Sequence, residues 1–272
     1  MDHTSSLELF LFTVSLEMAR EARDAGIDGL VVDWEWRGKP ERQDGADTEI
    51  NRDTPEQLGR LARFESMRRC CRVNAYGDWT REEVELALSN GATDILLPMV
   101  THPAEVESFL RYVGGRARAG ILVETVPACE RAEELARFPL DFVYLGLNDL
   151  ALQRGHSCIF LPLVDGTVER LRQVLGDIPF GFAGLTVIDA GEPVPCMRLL
   201  EEMARLGCQL AFMRRSFKRD IPGRNMREEI QRLRTVWHQL RQRDRTAIEV
   251  DHAHLKRTLR ERLRIPDRSA RA

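Results

Sequence analysis

Short apolar runs alternate with helical patterns along most of the chain. The runs are continuous stretches of β-prone residues, which is typical of strands in a parallel sheet covered on both faces. Most of them are followed by a segment with apolar residues at helical spacing, and strands that alternate with helices indicate βαβ units. The predicted strands cover residues 9–16, 29–36, 70–76, 94–100, 120–126, 141–147, 180–188 and 208–215.

The predicted helices carry terminal signals. Thr54 followed by Pro55 predicts an N-cap and a first helical turn. Thr80 and Glu83 have the spacing of a capping box, and Gly91 ends that helix. The helices predicted between the strands cover residues 18–26, 54–64, 80–91, 102–115, 128–138, 163–176 and 196–207.

Eight strands within about 220 residues predict an α/β fold of the (β/α)8 TIM barrel type, which usually takes ~250 residues. A doubly wound open sheet is the alternative. No G-x-G-x-x-G follows the first strand and no G-x-x-x-x-G-K occurs in the sequence, so nucleotide binding has no support. We expect residues 1–222 to form a barrel that carries the catalytic site.

Residues 223–272 differ from the rest of the chain in charge. They hold 14 lysines and arginines against 7 acidic residues, whereas the whole chain has a formal net charge of −3. Apolar residues recur on one stripe of a helix predicted over 226–243, and a second helical stretch covers 246–263. We expect a basic C-terminal helical extension that packs on the barrel or on a neighbouring subunit.

Composition argues against several classes of function. A net charge of −3 is unfavourable for nucleic acid or a membrane surface as the main partner. No apolar run approaches the ~18 residues of a membrane span, and the N-terminus shows no signal-peptide pattern. The six cysteines lack metal-ligand spacing. We expect reduced thiols and a cytoplasmic protein.

Polar residues stand at the ends of several predicted strands, where a barrel places its active site. These residues are Asp33, Glu35, Arg72, Asn74, Glu124, Asn148 and Asp149. Four carboxylates in one mouth repel each other unless a cation is present. Carboxylates with open coordination positions suit Mg²⁺ or Mn²⁺, and an arginine opposite the metal suits bidentate binding of a substrate carboxylate.

Each of these residues has a structural alternative. Glu124, within an apolar strand, could form a salt bridge rather than bind a metal. Asp149 could cap the turn that follows its strand. Arg72 could neutralise Asp33 or Glu35. The residue pattern alone leaves these alternatives open.

Five segments, in this order and spacing, resemble the HpcH/HpaI aldolase and citrate lyase β-subunit family. The resemblance covers roughly residues 10–217. Its most specific parts are E-T in the fifth strand, G-x-N-D-L about 25 residues later, and an arginine that ends the third strand. The segments are GIDGLVVDWEW, CRVNAY, GATDILLPMVTHPAEVESF, ILVETVPACERAEEL and DFVYLGLNDLALQRG.

The resemblance implies a (β/α)8 barrel with Mg²⁺ or Mn²⁺ on Glu124 and Asp149. It implies that Arg72 holds the oxygens of an enolisable acid, and that backbone N–H groups around Asn148 hold the substrate carboxylate. Family chemistry is reversible carbon–carbon cleavage or formation through a metal-bound enolate. It also implies a homo-oligomer, a hexamer or trimer of dimers, with a C-terminal helix reaching a neighbour.

Two departures from the family pattern change the expected chemistry. Trp36 stands where the aldolase branch has the histidine base, and Leu122 stands where it has a glutamine. Indole cannot accept a proton near neutral pH, so we expect Trp36 to form an apolar wall of the pocket. Glu35 becomes the candidate base, with a pKa raised towards neutrality. Residues 37–53 are either a solvated loop or a lid.

These observations favour a metal-dependent carbon–carbon lyase or aldolase that acts on a small oxo acid or carboxylic acyl substrate. One alternative is a condensing, citrate-synthase-like enzyme of a dedicated biosynthetic pathway. Another is a non-catalytic descendant that binds a metabolite. Enolisation of a substrate in the presence of metal separates the enzymes from the binder.

Overall fold

The computed structural model describes residues 6–39 and 51–263. Within them, parallel strands form one sheet that curves into a nearly closed barrel, which confirms the (β/α)8 prediction. The strands are β1 (Glu8–Phe12), β2 (Gly29–Asp33), β3 (Arg68–Arg72), β4 (Asp94–Leu97), β5 (Arg118–Val123), β6 (Phe142–Leu145), β7 (Phe180–Phe182), β8 (Gly184–Leu185) and β9 (Leu210–Met213). Their hydrogen-bonded order is β7-β6-β5-β4-β3-β2-β1-β9-β8.

The helices lie where the apolar spacing predicts them, and short additional helices follow some strands. They are α1 (Leu16–Ala25), α2 (Pro55–Leu61), α3 (Thr80–Ser89), α4 (Pro103–Val113), α5 (Val126–Glu130), α6 (Ala132–Leu135), α7 (Leu147–Gln153), α8 (Thr167–Leu175), α9 (Cys196–Arg205), α10 (Arg215–Asp220), α11 (Met226–Leu240) and α12 (Arg245–Leu263). Thr54 caps α2 and Pro55 is its first residue, as predicted. The prediction of a capping box at Thr80 is wrong, because α3 begins without a side-chain cap. Glu83 instead accepts a hydrogen bond from Asn74.

The predicted seventh strand is divided at Ala183, whose φ is +57°. As a result, β7 pairs with β6 and β8 pairs with β9. Tyr144 spans the division: its hydroxyl donates to the Ala183 carbonyl at 2.6 Å and accepts from the Phe212 N–H at 2.8 Å. A β-carbon on Gly181 would lie 2.2 Å from the Leu210 carbonyl oxygen, so only glycine permits this close approach of β7 to β9.

Two apolar regions hold the barrel together. Side chains alternate along the strands, so Leu9 and Leu11 of β1 join the large core between sheet and helices, whereas Phe10 and Phe12 enter the barrel. The barrel interior is a packed cluster, as in other barrels of this type. Its members are Phe10, Phe12, Val31, Cys70, Leu96, Leu122, Phe142, Tyr144, Leu210 and Phe212.

An ion cluster closes the barrel at the amino ends of the strands. Arg68 binds Glu8 and the fully buried Asp94. Its guanidinium also lies 4.6 Å from the centre of the Phe10 ring. Because the amino end of such a barrel contributes stability rather than chemistry, the functional site is expected at the opposite end.

The C-terminal extension packs on its own chain. Helix α11 buries Met226, Ile230, Leu233 and Trp237, and it contacts α1 and α9. Helix α12 packs against α9, with His252 Nδ1 lying 3.0 Å from Glu202 Oε2. The apolar stripe of α11 is therefore covered within the chain.

Candidate active site

The carboxyl ends of β2 and β3 meet in a bidentate ion pair. Asp33 and Arg72 are partners in the register of the two strands. The Nε and Nη2 atoms of Arg72 donate to the two carboxylate oxygens of Asp33 at 2.8 and 2.7 Å. Burial alone would raise the pKa of Asp33, but the charge and hydrogen bonds of Arg72 lower it well below its usual range.

Glu35 lies beside this pair and contacts two cations. Arg72 Nη1 is 3.0 Å from Glu35 Oε2, and Lys39 Nζ donates to the same oxygen at 2.9 Å. Lys39 is itself buried and lies 3.8 Å from Asp33. Against the effect of burial, Arg72 and then Lys39 lower the pKa of Glu35. The raised pKa expected for Glu35 is therefore wrong, because two positive charges stabilise its carboxylate.

Arg214 brings a third positive charge to this side of the mouth. It follows β9, and its Nη2 lies 3.7 Å from Asp33 Oδ2. Its guanidinium stacks 4.4 Å from the centre of the Phe12 ring, at the end of β1. The carboxylate of Asp33 thus lies among three cations from three parts of the chain.

The turn that carries Trp36 is held by a polar relay. Asn74 accepts hydrogen bonds from the Trp36 and Arg37 N–H groups at 3.0 and 2.8 Å. Glu83 in turn accepts from the Asn74 side chain at 2.8 Å. Trp36 is 37% exposed, and the guanidinium of Arg52 lies 5.3 Å from its ring centre. The indole therefore lies at the rim of the mouth.

The segment between β2 and α2 is anchored at one end to Asp33 and at the other to Glu35. Asp53 accepts the Asp33 N–H at 2.8 Å, and Asn51 donates to Asp33 at 3.2 Å. Lys39 holds the other end through Glu35. Residues 40–50, and with them the proposed lid, lie outside the described residues.

Glu124 occupies the opposite side of the mouth, after β5. Its Oε1 accepts the Met99 N–H at 2.9 Å, and Met99 adopts a φ of +54°. Such a backbone conformation is unfavourable for a residue with a side chain, and here it directs an N–H towards the carboxylate. A β-carbon on Gly146 would lie 2.2 Å from Glu124 Oε2, so the absence of a side chain there makes room for Glu124.

Asp149 and Asn148 lie in the first turn of α7, directly after β6. Gly146 occupies the N-cap position, so Asp149 is not the N-cap residue of this helix. Asp149 is buried and Asn148 is half-buried. Burial, then the charges of Glu35 and Asp149, raise the pKa of Glu124 to about 8. Glu124 and Asp149 thus form a pair of carboxylates that repel each other.

This pair suits a divalent cation. Among the described residues, no group of three or more histidine, cysteine, aspartate or glutamate side chains is arranged to hold a metal. Mg²⁺, however, is often bound by one or two carboxylates and completes its shell with water and substrate. Burial and the charges of Glu35 and Asp149 disfavour an ionised Glu124, whereas Arg72 acts in the opposite direction. A bound divalent cation would offset this cost, so the residues fit the group.

The strand-end rule located most of this site. It identified the carboxylates and Arg72, and the structure brings them to one mouth. It missed Lys39 and Arg214, although Arg214 is one of the last two residues of the eighth predicted strand and the same rule applies to it. Nothing in the sequence marked Lys39 as a site residue except its place in the charged segment 37–53. Leu122 lies in the barrel interior, on the same face of β5 as Glu124.

The sequence matches the HpcH/HpaI aldolase/citrate lyase family model over residues 7–158, more than half of the chain. The protein belongs to this family. No curated protein matches the sequence.

Solved structures confirm the barrel fold of this HpcH/HpaI family member. An HpcH/HpaI aldolase from Desulfitobacterium hafniense matches with a TM-score of 0.55 and 18% identity, over 78% of this chain and 87% of that one. The citrate synthase SbnG matches with a TM-score of 0.57 and 18% identity, over 78% of this chain and 86% of that one. The 3-hexulose-6-phosphate synthase of Salmonella typhimurium matches with a TM-score of 0.61 and 13% identity, over 86% of this chain and 100% of that one. At these identities the likeness concerns the fold.

Proposed function

We propose that the protein is a metal-dependent carbon–carbon lyase or aldolase that acts through the enolate of a small oxo acid or carboxylic acyl substrate. The observation that supports this most is the division of charge in the mouth. Repelling carboxylates, Glu124 and Asp149, face a cluster rich in cations around Arg72. This arrangement favours a bound divalent cation on one side and an anionic substrate on the other.

Glu124 and Asp149 would hold Mg²⁺ or Mn²⁺. The metal would supply positive charge that stabilises the enolate oxygen. Arg72 would bind substrate oxygens, and its bonds to Asp33 and Glu35 fix the guanidinium in place. The backbone near Asn148 would hold the substrate carboxylate, and Trp36 would contact substrate from the rim.

Glu35 is the proposed base because it lies at the end of β2 beside Arg72. Lys39 and Arg72 hold it in the ionised, proton-accepting form. A substrate anion that binds Arg72 would weaken this stabilisation and make Glu35 a stronger base. The ammonium of Lys39, which donates to Glu35 at 2.9 Å, would hold the carboxyl group in position while Glu35 takes up the proton.

A condensing enzyme is the alternative. Trp36 replaces the histidine expected for an aldolase, which favours a changed reaction, and one similar structure is that of a citrate synthase. A non-catalytic metabolite-binding descendant is a further possibility. We also propose that the protein acts in the cytoplasm as a homo-oligomer, without nucleic acid or membrane partners; all six cysteines are free and buried.

The test is exchange of the C3 protons of pyruvate in D₂O, followed by NMR with Mg²⁺ or Mn²⁺. We expect exchange by the wild type and its loss in Glu124→Ala, Asp149→Ala and Glu35→Gln. Calorimetric titration should show lost metal affinity in the first two variants only. The exposed Asp24→Ala variant is the control. Unchanged metal affinity in Glu124→Ala and Asp149→Ala would contradict the metal site, and absence of exchange in the wild type would favour the metabolite-binding protein.

A further inference from the structure

The two sides of the barrel mouth differ in charge. On the side formed by β2, β3 and β9, the carboxylates of Asp33 and Glu35 lie among three cations, Lys39, Arg72 and Arg214. This side therefore attracts anions.

The three cations differ in their access to solvent. The side chains of Lys39 and Arg72 are 2% and 5% exposed, whereas that of Arg214 is 32% exposed. Lys39 and Arg72 contact carboxylates at 2.9 Å or less. Arg214 shares an acceptor with Arg72, because its Nη2 lies 3.7 Å from Asp33 Oδ2, which Arg72 Nη2 contacts at 2.7 Å. Arg214 is thus the most exposed of these three cations.

The position of Arg214 is defined by packing. Its guanidinium lies 4.4 Å from the centre of the Phe12 ring, and Phe12 is buried at the end of β1. A planar guanidinium on an aromatic face keeps its N–H groups directed outward along its edge. An arginine has five N–H donors and one carboxylate takes two of them, so other contacts of Arg214 are compatible with binding an anion.

We propose that Arg214 binds a second carboxylate of the substrate, and that the enzyme therefore prefers enolisable oxo acids with two carboxylates over those with one. This inference rests on the proposed function, in which Arg72 and the metal site engage the reacting end of the oxo acid. Arg214 follows β9, whereas Arg72 ends β3, and Arg214 binds the carboxylate at the far end of the substrate. It determines specificity and takes no part in proton transfer.

The test compares oxo acids that differ at the far end alone. The pairs are 2-oxoglutarate with 2-oxopentanoate, and oxaloacetate with 2-oxobutyrate, in which a terminal carboxylate replaces a methyl group. Dissociation constants are measured by calorimetry on the Mg²⁺-loaded protein. We expect the wild type to bind at least one diacid about 10-fold or more tightly than its monoacid partner, the effect of one charged hydrogen-bonded pair.

Arg214→Gln should remove this preference and change the dissociation constant of the monoacid by less than about twofold. Arg214→Lys should keep part of the preference, because lysine retains the charge but not the fork. Arg245→Gln, which makes the same charge change at a side chain 93% exposed on α12, should behave like the wild type. Circular dichroism spectra establish that the variants fold.

Equal wild-type affinity within both pairs, or a diacid preference that survives Arg214→Gln, would overturn the proposal. Exchange of C3 protons on 2-oxopentanoate and 2-oxobutyrate is followed separately. A diacid preference without exchange would support Arg214 and contradict the proposed function. Exchange without a diacid preference would support the function and contradict the role of Arg214.

Discussion

Glu35 and Glu124 are the same residue type at the same barrel mouth, yet their pKa values move in opposite directions. Both are buried, and burial raises the pKa of a carboxyl group. Arg72 and Lys39 contact Glu35 and lower its pKa, whereas the charges of Glu35 and Asp149 raise that of Glu124 further, to about 8. The side chains around each carboxyl, and not its residue type, decide its chemistry.

Replacing Arg72 should affect the reaction and not only stability. Lysine cannot reproduce the two bonds to Asp33 and the third to Glu35. We therefore expect a lower kcat/KM in Arg72→Lys, equivalent to a loss of about 2 kcal/mol or more of transition-state stabilisation. The measurement is steady-state kinetics on the true substrate. Arg69→Lys is a matched control, because Arg69 binds backbone carbonyls outside the mouth. Wild-type kcat/KM in Arg72→Lys would make Arg72 a structural counter-ion.

The lowered pKa of Asp33 predicts a dependence of stability on pH. A carboxyl group with a lowered folded-state pKa stabilises the fold above its unfolded pKa, about 4, and loses this contribution as pH falls through the folded value. We therefore expect the free energy of unfolding, from urea titrations, to decrease below about pH 5. Asp33→Asn should be about 3 kcal/mol less stable at pH 7, since it leaves buried cations unpaired. On acidification, its free energy of unfolding should decrease less than that of the wild type.

The exposed variant Asp24→Asn is the control for this comparison. It should keep the wild-type stability at pH 7 and the wild-type slope on acidification. The same slope in wild type and Asp33→Asn would contradict the lowered pKa of Asp33.

The division of the seventh barrel strand is the main irregularity among the elements. β7 and β8 bond to different neighbours, and the Tyr144 hydroxyl contacts Ala183 and the backbone of Phe212 across the division. Phe212 lies two residues before Arg214, so this bond also fixes the strand that presents Arg214 to the mouth.

Tyr144→Phe should therefore lower the free energy of unfolding by about 1–3 kcal/mol, because buried backbone groups lose their partner. The measurement is urea denaturation followed by circular dichroism. Tyr112→Phe, at a half-buried tyrosine of α4, should change stability by less than about 0.5 kcal/mol. Equal effects of the two variants would show that the hydroxyl of Tyr144 does not hold the divided strand.

At the scale of the whole molecule, the C-terminal helices complete the barrel's outer layer. The buried stripe of α11 covers α1 and α9, and Arg234 of α11 donates to the Leu7 and Gly26 carbonyls and binds Asp28. The end of the chain is thereby attached to the first strand and the first helix. The assembly of several copies stays a prediction.

Removal of residues 223–272 should lower the melting temperature, because it exposes the apolar surface under α11. We also expect a smaller assembly by light scattering. Leu233→Ala tests the packing alone and should cost about 2–5 kcal/mol, with the exposed Arg227→Ala as its control. An unchanged melting temperature and mass on truncation would refute both expectations. A lower melting temperature at unchanged mass would limit the role of α11 to its own chain.

The order of strands and helices, the barrel and the polar strand ends follow from the sequence, because apolar periodicity and chain order are local properties and a barrel gathers all strand ends at one mouth. Asp33, Arg72, Glu124 and Asp149 could therefore be predicted. Only the tertiary structure decided the charge state of each group, because pKa values depend on burial and on partners distant in sequence.

Lys39 shows the limit of the sequence most clearly. Its neighbours in the chain suggest a solvated loop, yet it is buried against Glu35 and Asp33. Arg214 followed the strand-end rule, but its stacking on Phe12 comes from closure of the barrel between β1 and β9. Local pattern determines where a residue stands in the chain, and the packing of remote elements decides what surrounds it.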